Sequence, residues 1–273
     1  MRLDKDGFND LPKEEKNLAL NIYNYLKAGN RVIGDPGEGL KQTLATLEEK
    51  RDNRNFGITD WKTKDAELES QIAKTKAGIK GEEDLCEWLA RLIKYDDKLD
   101  GLIAFASLAY NFGEENNLDY TPDTDTLLVY GNHLLVVDAK NLKTKPNADG
   151  LLLVDNSVME ITGEKMKELI TVHPSTHIWE RVMEEHNLPL DSIDGYVCIV
   201  NDQEVNIIRD ENWYNCHTKL IHIAELRDIL EKWVEGKDNT TSLLMLTEIA
   251  KAQIKKEKEI SFDIDAIKRQ FGV

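Results

Sequence analysis

A chain of 273 residues, 41% apolar and 32% charged, suffices for one well-buried domain with an appendage or for two small domains, which excludes a marginal mini-protein and a disordered chain. The formal net charge of −16 argues against polyanion binding, which relies on Lys and Arg to neutralise phosphates. Cys86, Cys198 and Cys216 are too scattered for a zinc site or a disulfide framework and read as buried small hydrophobes.

The chain is expected to open helically from Leu11 to Lys80. Leu18, Leu20, Ile22, Tyr23 and Leu26 give Asn17 to Ala28 an apolar stripe, and Gly34-Asp35-Pro36-Gly37 breaks it. Charged helices follow from about Leu40 to Asn53 and from about Thr59 to Ala77, so residues 1–78 read as an N-terminal helical or coiled-coil arm suited to oligomerisation. A core is expected over 79–235. Gly81 to Lys94 is an amphipathic helix with Glu82 in its first turn, and Gly101 to Phe112 reads as a strand. Strands are expected at Leu151 to Val154, Ser157 to Ile161 and Gly195 to Val200, the last with Val205 to Ile208 as its neighbour. Helices are expected at Ser175 to His186, behind His173-Pro174, and at Ile223 to Val234. Gly236 to Asn239 reads as a linker into a C-terminal helical tail, 236–273, with helices at Thr241 to Lys258 and Ile264 to Phe271.

No run of about 18 apolar residues occurs, and MRLDKDGFNDLPKEEKN lacks a signal core, so the expected location is cytoplasmic and away from membranes. None of the six histidines forms a His-Glu-x-x-His zinc pattern.

The chemistry concentrates in TPDTDTLLVYGNHLLVVDAKN. Two β-rich runs flank Gly131-Asn132, a two-residue hairpin signal, so Tyr130 should face His133, Asp125 should face Asp138, and Asp123 should face Lys140. Alternation puts Asp138 and Lys140 on one face and Asp123 and Asp125 on the matching face of the partner strand. Opposed carboxylates destabilise an exposed hairpin by about 0.2–1 kcal/mol, and a cation between them reverses the sign. Hard oxygen donors suit Mg²⁺ or Mn²⁺, and a lysine two residues after a metal-binding aspartate can hold or deprotonate an attacking water. The plain alternative is an Asp at a turn and a solvated Asp-x-Lys pair, and the hairpin alone does not decide between them.

The order of a helix with Lys80-Gly81-Glu82, a strand, a hairpin starting near Asp125 and Asp138-Ala139-Lys140, then a His-Pro-led helix and a central strand, resembles the nuclease-related domain (NERD), a branch of the PD-(D/E)xK nuclease superfamily, over roughly Ile79 to Val234. The resemblance implies an α/β restriction-endonuclease-like core, a mixed central sheet flanked by helices. It implies a Mg²⁺-dependent (or Mn²⁺-dependent) deoxyribonuclease with Glu82, Asp125 and Asp138 on the metal and Lys140 on the attacking water. Asp123, Lys143, Lys145 and His177 become supporting or phosphate-binding candidates. Two departures stand out: His173-Pro174-Ser175-Thr176-His177 replaces the family's Asn-Pro-x-x-Gln, and Asp138 stands where the family more often has Glu.

The expected partner is DNA, in defence against foreign DNA or in DNA processing. Between Gly81 and Lys140 thirteen acidic residues face four basic ones, a field that favours a divalent cation and repels DNA, so a partner protein supplying basic surface is a further expectation. The rival expectations are an inactive nuclease-fold assembly module and an acidic DNA-mimicking inhibitor.

Overall fold

Three apolar runs in the first half of the chain form the middle of a six-stranded sheet, and the segments on either side supply its helices. The computed structural model describes residues 2–52, 61–110, 123–172, 175–201, 205–209 and 218–252. Strands β1 (Arg2–Asp4) and β2 (Val32–Ile33) bracket helix α1 (Lys13–Lys27). Helices α2 (Glu38–Asp52) and α3 (Trp61–Tyr95) lead into β3 (Ile103–Ala109), β4 (Asp123–Tyr130) and β5 (His133–Lys140). A meander, β6 (Gly150–Val154), β7 (Ser157–Thr162) and β8 (Lys165–Thr171), precedes α4 (Thr176–Glu185). Strands β9 (Ser192–Ile199) and β10 (Thr218–His222), helix α5 (Ile223–Val234), β11 (Thr240–Ser242) and α6 (Leu243–Ala252) complete the described chain.

The central sheet runs β10-β9-β5-β4-β3-β2. The β3-β4-β5 meander is antiparallel, while β2 lies parallel to β3, β9 parallel to β5 and β10 parallel to β9. This is a mixed α/β sheet flanked by helices. Side-chain alternation divides its core in two. Ile103, Phe105, Leu127, Val129, Leu134 and Val136 pack with α1, α4 and α6, whereas Ala104, Ala106, Leu128, Leu135 and Val137 pack with α3 and α5. A smaller cluster, including Leu151, Val158, Val197, Ile199 and Leu220, seats the β6-β7-β8 sheet against β9 and β10.

Several expectations need correction. Residues 1–78 are not a separate arm, because α1 buries Leu18, Ala19, Ile22 and Leu26 in the same core as Leu246 and Ile249 of the supposed tail. The two helices expected on either side of residue 80 are one helix of 35 residues, so the 78/79 boundary falls inside α3. Gly81 does not break it. A Cβ there would lie 3.0 Å from Val200 Cγ2 and 3.3 Å from Asn141 Cβ, so the glycine lets the helix pass close over the sheet. Val205 to Ile208 is not a neighbour of β9; Leu151 N–H donates to Asn206 O and Ile208 N–H to Leu151 O, which places the segment on β6. Strands β1, β2, β8, β10 and β11 went unanticipated, being short or charged. His173-Pro174, Cys216 and the expected helix from Ile264 to Phe271 lie outside the described residues.

The expected linker at Gly236 to Asn239 is instead a buttress for the hairpin turn. Gly131, at φ 58°, donates its N–H to Thr241 Oγ1 at 3.1 Å, and a Cβ on it would lie 2.2 Å from Asp238 O. Both the left-handed backbone and the backbone contact exclude a side chain. Gly131→Ala is therefore expected to destabilise the fold by about 2 kcal/mol or more, read as a lower urea midpoint with an unchanged denaturant slope.

Candidate active site

The hairpin register is the one the turn dictates: Tyr130 faces His133 and, inward along the ladder, Thr126 faces Val137. The ladder stops there. Asp125 and Asp138 would be the next backbone pair, yet β5 continues alone beside β9, with Asp138, Ala139 and Lys140 opposite Val197, Cys198 and Ile199. The Ala139 N–H goes to the Asp125 carboxylate, Oδ2 at 2.8 Å, in place of the β4 backbone. The splay makes room for side chains. Lys140 Nζ lies 3.5 Å from Asp125 Oδ2 and ion-pairs with Asp138 Oδ1. All three groups are largely shielded from solvent.

A matching break occurs on the other side of β4. The β3–β4 ladder pairs Ala106 with Thr126 and Leu108 with Thr124 but skips Ser107 and Asp125. Ser107 adopts φ 50°, a left-handed conformation that costs a non-glycine residue about 1–2 kcal/mol. The break inverts the pleat. Ala106 packs in the core of α3 and α5 but Leu108 in that of α1, α4 and α6. Thr126 Oγ1 contacts Cys86 Sγ of α3 at 3.7 Å, whereas Thr124 Oγ1 accepts the Trp179 indole N–H of α4 at 3.0 Å and donates to Ser175 Oγ at 2.9 Å.

Glu82 meets this break from α3. Only 6% exposed, its Oε2 accepts from Gly37 N–H at 3.0 Å and from Ser107 Oγ at 3.2 Å. The carboxylate does stand at a helix N-terminus, but that of α2 and not its own, since Glu82 is well inside α3. Glu82, Ser107, Asp123, Thr124 and Asp125 line a cleft of about 180 Å³ that the first turn of α2, Glu38 to Gln42, closes on one side.

The charges in this cleft and beside it, at Asp138 and Lys140, are unbalanced. Burial, then the nearby Asp125 charge, raises Glu82 from its ordinary 4.5 to about 8, against the hydrogen bonds from Ser107 and Gly37. Burial and Asp125 also push Asp138 well above the usual carboxylate range. Desolvation, the largest effect on Lys140, favours its neutral form, but Asp125 and Asp138 together overcome it and hold the ammonium above its ordinary value. Lys140 is thus a fixed cation and donor in this state and not the base that an Asp-x-Lys pair alone permits.

Of the supporting candidates, Asp123 lines the cleft and the others do not. Asp123 is exposed and its Oδ2 lies 3.4 Å from where a Cβ on Gly39 would stand, while the ion pairs of Lys140 run to Asp125 and Asp138. Lys145 Nζ lies 3.4 Å from the buried Glu160, whose carboxylate also takes the Lys145 N–H, so this lysine is tied into the β6-β7-β8 sheet. Lys143 is exposed just beyond β5, and His177 lies on the exposed side of α4. Cys86 and Cys198 are buried free thiols. Ser107 and Gly37 were missed: a lone serine in an apolar strand and a glycine in a turn cluster carry no local sign that they meet a distant glutamate.

Among the described residues no group of three or more His, Cys, Asp or Glu side chains is poised to hold a metal, the Lys140 ammonium standing between two of the carboxylates. No described helix is long and apolar enough to cross a membrane. Compared with known protein families, curated proteins and solved structures, the chain matches none.

The raised Glu82 value has a definite sign. The folded chain holds this proton more tightly than the unfolded one, so the stabilisation is full below about 4.5 and is lost as pH rises through about 8, by about 1.4 kcal/mol for each unit of separation. In EDTA, the thermal midpoint of the wild type should fall over that range, and Glu82→Gln should remove the part of the fall that Glu82 contributes, leaving the part due to Asp138.

Proposed function

We propose that this protein is a divalent-metal-dependent nuclease with a PD-(D/E)xK-type core that hydrolyses phosphodiester bonds in DNA. The observation that carries the reading is the meeting of Asp125, Asp138 and Lys140 at the point where β4 leaves β5, with Glu82 held in the adjoining cleft. The succession α3-β3-β4-β5, then α4-β9 with β9 parallel to β5, supports it as the frame the NERD resemblance calls for.

The donor set fits a hard cation. Three carboxylates face one ammonium, all the acidic donors are oxygens, and a divalent ion would favour the ionised forms of Glu82 and Asp138, which burial and then the Asp125 charge disfavour. Asp125, Asp138 and Glu82 would hold it, and Mg²⁺ or Mn²⁺ there would polarise the phosphodiester and acidify a water. Lys140, kept protonated by its two aspartates, donates to a phosphate oxygen or to the attacking water and offsets charge developing on phosphorus. Asp125 has a second duty, fixing the Ala139 backbone and with it the direction of Asp138 and Lys140.

A second reading, a nuclease fold without turnover serving as an assembly module, is favoured by the ion-paired lysine between Asp125 and Asp138 and by the −16 charge. Cleavage of supercoiled and linear DNA in Mg²⁺, Mn²⁺ or EDTA separates the two. The nuclease reading expects metal-dependent cutting that falls roughly 100-fold or more in both Asp138→Ala and Lys140→Ala. Cutting that survives both substitutions would move the chemistry to another centre, and no cutting by any form would favour the assembly module.

A further inference from the structure

Ser107 is the described residue whose backbone is least explained by the sheet. A strand that pairs with β4 just before and just after this position has no need of a left-handed residue, and serine is not among the residues that adopt φ 50° readily. Such strain persists where surrounding contacts over-determine it. Here the contacts converge on one atom. Ser107 Oγ lies 3.2 Å from Glu82 Oε2, Gly37 N–H donates to the same oxygen at 3.0 Å, and Gly37 N–H also reaches Ser107 Oγ at 2.8 Å. A strand, a helix and the turn before a second helix thus meet in a three-membered polar cluster beneath the cleft. Among the described residues every hydrogen bond that Glu82 makes ends on Oε2 and none on Oε1. Glu82 lines the cleft together with Asp125.

We infer that Ser107 is a positioning residue whose strained backbone and hydroxyl, with the Gly37 amide, clamp one oxygen of Glu82 so that the other stays available to a divalent cation in the cleft. The inference deepens the nuclease reading and rests on it for the identity of the ligand. It assigns the strain a purpose. Relaxing β3 at Ser107 would restore the regular pleat, turn the hydroxyl away from α3, and leave Glu82 free to choose among rotamers. Partners that orient a metal-binding carboxylate typically change metal affinity by about 10–100-fold when removed, without themselves touching the metal.

Two substitutions separate positioning from packing. Ser107→Gly relieves the left-handed strain but deletes the hydroxyl, and Ser107→Ala keeps the strain and deletes the hydroxyl. Mn²⁺ affinity by isothermal titration and thermal midpoint in EDTA would be measured on the wild type and both variants, with DNA cleavage as a third readout. The expected result is a thermal midpoint for Ser107→Gly at or above that of the wild type, with Mn²⁺ affinity lower by roughly tenfold or more in both variants. A merely structural serine would make affinity follow stability, and Ser107→Gly would then bind Mn²⁺ as the wild type does, which overturns the inference. Absence of Mn²⁺ binding by the wild type would overturn it as well. If the wild type binds Mn²⁺, both variants bind it more weakly and none of the three cuts DNA, the clamp stands and the nuclease reading fails.

Discussion

The Asp125 carboxylate stands where two strand pairings fail at once. Toward β5 it takes the Ala139 N–H that the β4 backbone no longer reaches, and it faces the Lys140 ammonium. Toward β3 its backbone is skipped by the ladder opposite Ser107. A buried peptide N–H left without an acceptor costs about 1–3 kcal/mol, so the carboxylate offsets a defect that the splay itself creates. Its charge adds to burial in raising Glu82 and Asp138, and with Asp138 it holds Lys140 protonated against desolvation. Replacing it by an apolar residue would strand the Ala139 amide and leave Lys140 with Asp138 alone.

Whether this concentration of charge is stable is a question of magnitudes. Three carboxylates and one ammonium cannot all ionise in a shielded cleft without loss, because unit charges a few ångströms apart interact by several kcal/mol at the effective dielectric of a protein margin. Burial first, and then the Asp125 charge, pushes the Glu82 and Asp138 carboxyls upward, and protons there relieve part of the repulsion. A divalent ion would relieve more. The −16 of the whole chain adds a weaker field of the same sign, screened beyond about 8–10 Å in physiological salt. Local geometry therefore outweighs overall charge in deciding what enters the cleft, while overall charge governs how a long polyanion approaches it.

Much of the hairpin was legible in advance because its information is local. Gly131-Asn132 fixes the turn, alternation fixes the faces, and the resulting register holds from Tyr130 to Thr126. The splay beyond Thr126 was not legible, since there Asp138, Ala139 and Lys140 keep only β9, more than fifty residues away, as a strand partner. Asp123 was placed by the same alternation, but the ladder that would set it opposite Lys140 ends at Thr126, and the pleat inverts at Ser107, where nothing in Ala-Phe-Ala-Ser-Leu signals a left-handed residue. The long α3 was cut in two because glycine reads as a breaker, whereas Gly81 serves a close helix-to-sheet approach that only the packed structure reveals. The apolar stripe of α1 was legible, apart from Leu20, which is exposed, but its partner lies in α6, more than two hundred residues on.

That last pairing bears on how the molecule is made. Arg2 to Asp4 pair in parallel with Thr240 to Ser242, and α1 shares its core with α6. A ribosome releases the chain from its N-terminus, so α1 emerges with its apolar face uncovered and waits through more than two hundred residues of synthesis for Leu243 to Ala252 to arrive. The β3-β4-β5 meander can pair during that interval, because its contacts are near in sequence, whereas closing the β1–β11 loop carries the largest chain-entropy cost in the fold. Folding is therefore ordered from the site outward: the strands that bear Asp125 and Asp138 meet early, and the face beneath them is sealed only after α6 has been made.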